Sequence, residues 1–129
     1  MKAKHSSDGR TIRLVRAYDI TESDAGYRVL VDRIWPRGVT KERLALDAWP
    51  KELAPSAELR NWFQHDPVRW GQFRTRYFRE LKANADRLTE MLAESKGRPL
   101  LLIYGARDVE HNNAVALRDF LNESAELTS

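Results

Sequence analysis

Apolar residues recur along the chain with two periods. From Thr11, the alternation of Ile12 and Leu14, carried on to Tyr18, predicts a half-buried strand. Tyr27-Arg28-Val29-Leu30-Val31 contains three consecutive apolar β-compatible residues, the signature of a central strand buried on both faces. Leu100-Leu101-Leu102-Ile103-Tyr104 is an unbroken apolar run and the strongest strand signal in the chain. Between the last two strands the period lengthens to that of a helix. Thr40 is placed to cap a short helix carrying Leu44 and Leu46, and Ser56 to cap another through Leu59, Trp62 and Phe63. Asp66-Pro67 reads as N-cap and first helical residue of a long amphipathic helix. It carries Trp70, Phe73, Tyr77, Leu81, Leu88 and Met91, with a break expected near Asn84-Ala85-Asp86. Asp108 is expected to cap a final helix with Ala114, Leu117 and Leu121 on its inner stripe.

A strand, a helical excursion and a second strand form a βαβ unit, whose handed crossover makes the two strands parallel. The pattern therefore predicts a small α/β layered domain: a three- to four-stranded, at least partly parallel sheet flanked by helices. The pairing of the first strand stays open, because the turn-rich stretch from Asp19 to Gly26 suits a loop return better than a crossover helix. A single domain over residues 11–124 is expected, between a flexible arm at 1–10 and a tail at 125–129.

Composition changes this picture mainly by exclusion. The 129 residues include no cysteine, which removes disulfides, thiolate nucleophiles and cysteine-bound metals. No apolar run approaches membrane-helix length and no signal-peptide core opens the chain, so a cytoplasmic protein without a membrane partner is expected. A net charge of +3 with intermixed signs does not by itself imply nucleic acid. Walker, nucleophile-elbow, zinc-helix and dinucleotide fingerprints are all missing from the sequence, so common cofactor chemistries lose support, the cofactor stays unknown with none implied, and no metal site is expected. His65-Asp66 reads as a helix start rather than a ligand pair. Asp19, Asp32 and Asp108 could hold a hard cation only if their turns converge.

The candidate chemistry lies where the two buried strands end. Arg33, Trp35, Arg37 and Gly38 follow the first, and Gly105, Arg107, Asp108, His111 and Asn112 follow the second. Parallel strands bring both turns to one edge, where open sheets bind their ligands. Arg33, Arg37 and Arg107 offer guanidinium forks for an anion, Trp35 a stacking face, and Gly38 and Asn112 a close backbone approach and an amide at a helix start. His111 is the tentative catalytic acid or base, with Asp32 and Asp108 orienting these groups. Each also has a bland reading: ion pairs among the turns, a core tryptophan and a buttressing histidine. The leading expectation is a phosphate-bearing or otherwise anionic ligand at this edge, with catalysis left open. One alternative is a nucleic-acid module using Arg69, Arg74, Arg76, Arg79 and Lys82 on the long helix. Another is a protein-interaction domain docking an acidic partner.

The motifs Tyr27 to Gly38, Leu44 to Trp49, Leu53 to Ser56, Leu59-Arg60, Trp62-Phe63, His65-Asp66-Pro67 and Tyr104 to Asp108 with His111-Asn112 closely resemble the bacterial YeaO-like family, a domain family of unknown function. The resemblance runs from Ile12 to Leu121 and implies no particular activity. That family's usual His-Asn-His reads His111-Asn112-Asn113 here, so a proton or ligand role of the second histidine does not carry over.

Overall fold

The computed structural model describes residues 11–128, with side chains through Glu123. The arm expected at 1–10 lies outside them. Three strands, β1 (Ile12–Arg16), β2 (Tyr27–Leu30) and β3 (Leu100–Tyr104), form one sheet in the order β1-β3-β2. Both pairings are parallel: Ile12 lies opposite Leu100, and Tyr27 also lies opposite Leu100 on the other side of β3. Val31 extends the second ladder, its N–H donating to Ile103 O at 2.9 Å. The open question about β1 is thereby answered. The loop from Ala17 to Gly26 carries the chain from one edge of β3 to the other without a crossover helix, a span well within the reach of ten residues.

The helices are α1 (Lys41–Leu44), α2 (Ala57–Phe63), α3 (Trp70–Ala83), α4 (Ala85–Glu94) and α5 (Asn113–Thr128). Thr40 and Ser56 cap α1 and α2 as the sequence predicts, accepting from Arg43 N and Leu59 N. Asp66 and Pro67 open a 3₁₀ turn over Pro67–Arg69, and α3 begins only at Trp70. Asn84 separates α3 from α4 at the expected break. The start of α5 differs from expectation. Asp108 accepts from the N–H groups of Glu110 and His111 in a bend that precedes the helix, whereas Asn112 is the N-cap, its Oδ1 accepting from Val115 N at 3.0 Å. The helix continues to Thr128, through the segment read as a tail.

Alternation along the strands divides the core in two. Tyr27, Val29, Val31, Leu100, Leu102 and Tyr104 face a layer supplied by α2 to α5, with Phe73, Tyr77 and Met91 at its centre. Leu30, Leu101 and Ile103 face a smaller cluster of Val15, Ile20, Val39 and Leu44, closed by Trp35 and Trp49. β3 is buried along its whole length, which explains its continuously apolar sequence. Among the described residues no helix is long and apolar enough to cross a membrane.

One polar contact fixes α2 on α3. Both carboxylate oxygens of Glu80 accept from Ser56, at 2.9 Å from its N–H and 2.6 Å from its hydroxyl, while that hydroxyl caps α2. We expect Glu80→Ala to leave the start of α2 unsatisfied and to cost about 2 kcal/mol. Urea unfolding measures this, and an unchanged midpoint would show that water replaces the carboxylate without loss.

Candidate functional site

A cavity of about 280 Å³ opens at the carboxyl ends of β2 and β3. Asp32, directly after β2, lies in it half-buried. Its Oδ2 accepts from Gly105 N at 2.9 Å and its Oδ1 from Asn113 Nδ2 at 3.1 Å, while the same amide nitrogen donates to Val31 O at 2.7 Å. The carboxylate thus joins the ends of two strands and the first turn of α5. Gly105 permits the approach: a Cβ there would stand 3.2 Å from Asp32 Oδ2. Among the described residues Asp32 forms no salt bridge. Burial raises its pKa above the ordinary carboxylate value, against smaller opposing effects of the Asn113 and Gly105 hydrogen bonds and of nearby His65 and Arg60.

Aromatic side chains form part of the walls. Trp35 is held by its own Nε1–H, which donates to Val39 O at 2.6 Å, and meets Trp49 edge-on at 5.3 Å. Trp49 in turn donates its indole N–H to the Asp32 carbonyl at 2.8 Å, so wall and carboxylate are tied together. Opposite in sequence, Phe63 at the end of α2 stacks on Phe73 at 4.2 Å, and both line the cavity. Positive charge comes from Arg33, whose Nε–H donates to Pro55 O at 3.2 Å, and from Arg60, and the His65 imidazole lies beside them in the lining. Gln64 and His65 both adopt left-handed backbone conformations, φ 48° and 56°. The first is an ordinary helix terminus. The second costs about 1 kcal/mol for a residue with a side chain, and it carries the imidazole to the cavity edge.

The structure brings together only part of the residue set that the sequence suggests. Asp32, Arg33, Trp35 and Asn112 line the cavity, and Asn112 is buried there with its amide spent on capping α5 and on Asp108 O. Arg37, Gly38, Arg107, Asp108 and His111 are not among its lining. Arg37 and Arg107 are exposed, and the Arg37 carbonyl accepts from Tyr18 OH at 3.0 Å. Gly38 turns the chain at φ 78° with open space where a Cβ would stand. His111 lies before α5 rather than in its first turn. Its Nδ1 is 2.9 Å from Asp108 Oδ2 and its ring meets Trp70 edge-on at 5.5 Å. Asp108 is held below the ordinary carboxylate range, first by the Glu110 N–H and then by His111. Among the described residues no three His, Asp or Glu side chains gather to hold a metal, so Asp19, Asp32 and Asp108 do not converge.

Arg60, His65 and Asn113 were absent from the expected set. Arg60 and His65 lie on an element far in sequence from either strand end, and no local motif marks a left-handed histidine. Asn113 was visible only as a departure from the usual family histidine.

A family model described as the inactive DUF488-N3 subclade matches residues 11–129. The Escherichia coli protein YeaO, described as uncharacterised, is 43% identical over 110 residues, covering 85% of this chain and 96% of its own. Uncharacterised proteins of Mycobacterium tuberculosis and Mycobacterium bovis are 40% identical over 112 residues, covering 86% of this chain and 93% of theirs. No solved structure matches significantly.

The raised pKa of Asp32 makes a signed prediction. Its ionised form is the costlier one in the fold, so the wild type gains stability relative to Asp32→Asn as pH falls through the raised value. That gain is complete below the ordinary carboxylate range. Asp24 and Asp108, whose pKa values are lowered, lose stabilisation at low pH in both proteins and cancel in the difference. Thermal unfolding of the pair from pH 7 to pH 4 should show the difference moving in favour of the wild type. A difference that is flat, or moves the other way, would mean that Asp32 ionises at no cost.

Proposed function

The chain belongs to the inactive DUF488-N3 subclade, and on that footing we propose that it binds a small anionic ligand, of which phosphate esters are the leading class, without transforming it. The observation that carries this reading is the cavity at the strand ends, where the Arg33 and Arg60 guanidinium groups and the His65 imidazole meet a partly aromatic lining. Guanidinium groups suit phosphate and carboxylate because they present planar pairs of donors. Among the described residues the lining holds no serine, threonine, lysine or cysteine to act as a nucleophile, which leaves Tyr18 and His65 beside Asp32 as groups able to do so. Asp32 is engaged as an acceptor by two internal donors. Both points favour binding over chemistry, in keeping with the word inactive in the family's description. The residues first expected to carry the anion, Arg37 and Arg107, are replaced in this reading by Arg60 and His65, and His111 acts as a structural partner of Asp108 and Trp70.

A second reading, contact with nucleic acid, draws on the α3 face. Of its basic residues, Arg74 turns to α5 and pairs with Asp119 and Glu123, and Arg69 lies near Asp66. Arg76 and Arg79 form no salt bridge among the described residues. Arg76 stacks over Trp62 at 4.2 Å, and Val68 beside it is 91% exposed.

Calorimetric titration with sugar phosphates and nucleoside monophosphates tests the first reading. At least one should bind saturably, and Arg33→Ala and Arg60→Ala should each weaken it by about tenfold, the worth of a charge-assisted hydrogen bond. Failure of every compound in the panel would sink it. An electrophoretic shift of single- or double-stranded oligonucleotides, steeply salt-dependent and lost in Arg76→Ala/Arg79→Ala, would instead select the second reading.

A further inference from the structure

Asp32 sets a condition that an anion alone does not meet. It is a half-buried carboxylate inside a cavity meant, on the reading above, for a negatively charged ligand, and among the described residues no salt bridge neutralises it. A phosphate resting against it would meet repulsion in a poorly solvated space. The carboxylate offers about four lone-pair sites, of which Gly105 N and Asn113 Nδ2 use one on each oxygen, so each oxygen keeps acceptor capacity. A buried acceptor with spare capacity favours a donor partner. Flat apolar surfaces in the lining come from Trp35, Pro36 and Phe63, and the Trp35 wall is fixed relative to Asp32 through Trp49. At about 280 Å³ the space sits at the lower end of small-molecule pockets, roughly 300–1,000 Å³, too small to enclose a dinucleotide.

We infer that this pocket, resting on the anion-binding reading, takes a bipolar ligand. A flat nitrogen heterocycle points two adjacent N–H donors at the Asp32 carboxylate and carries an anionic group toward Arg33, Arg60 and His65. Guanine has that donor pair, N1–H beside the 2-amino group, spaced for the two oxygens of a carboxylate. Hypoxanthine keeps only N1–H. Adenine presents an acceptor at N1 and lacks the pair. A site built to satisfy donors discriminates strongly against analogues that leave its buried acceptor unpaired.

Calorimetry on the full chain with GMP, IMP, AMP and ribose 5-phosphate decides the matter. GMP should bind most tightly, IMP less, and AMP and ribose 5-phosphate weaker than GMP by about tenfold or more. In Asp32→Asn, checked for folding by its thermal transition, the GMP preference over AMP should collapse. The ladder of nucleotides on the wild type is independent of that variant and stands if it fails to fold. Equal affinity for GMP and AMP, a preference for AMP, or binding by ribose 5-phosphate as tight as GMP would overturn the bipolar inference and leave the anion reading intact. A GMP preference that persists in folded Asp32→Asn would overturn it as well. If none of the four binds while another sugar phosphate of the wider panel does, the bipolar inference falls alone; if nothing in that panel binds, both readings fall.

Discussion

Parallel hydrogen bonding of β2 to β3 is the constraint from which the rest of the molecule follows. It sends both strands out of the sheet on the same side, so Asp32 and Gly105 come within 2.9 Å although 73 residues separate them in sequence. The carboxylate then closes the joint by accepting from Gly105 on one oxygen and from Asn113 on the other. An antiparallel pairing would have placed the two turns at opposite edges, and neither the cavity nor the acceptor at its floor would exist.

A second constraint is the asymmetry of the two sheet faces. One is covered by four helices that bury large aromatic and aliphatic side chains, while the other rests on one short helix and the loops around Ile20, Trp35 and Trp49. The cavity lies where these coverings meet the strand ends. Trp35 packs against the loop-side cluster, whereas Phe63 and Phe73 belong to the helix layer. The site walls are therefore parts of the core that reach the surface, which gives them fixed positions at the cost of little additional ordering.

The sheet and most helix starts were legible because their signals are local. Continuous apolar runs mark β2 and β3, and Thr40, Ser56, Asp66 and Asn84 sit where caps and a break belong. The start of α5 was misread because Asp108 and Asn112 are both good caps by residue type, and only the backbone path decides between them. The site was legible in place and partly in content. Asp32, Arg33 and Trp35 follow a predicted strand, so their location comes with the topology. Arg60 and His65 arrive through the packing of α2, which Glu80 fixes from α3, and no short-range pattern encodes that contact. Arg37 and Arg107 have the right residue type in the right turn, but both are exposed and neither lines the cavity.

The position of β3 also governs how such a chain can assemble. Both sheet ladders are made by residues 100–104, so β1 and β2, near residues 12 and 27, leave the ribosome long before the strand that pairs with them. In the finished sheet they never touch each other, and before β3 is available β2 has only its bridge to the segment around Ala48. Loop closure over most of the chain precedes the first interstrand bond, the situation that slows folding and exposes unpaired edges. The helices between them, whose contacts are local, are the segments able to form first. We expect the sheet, whose central and most hydrophobic strand meets both Ile12 and Tyr27 through Leu100, to be completed late in folding.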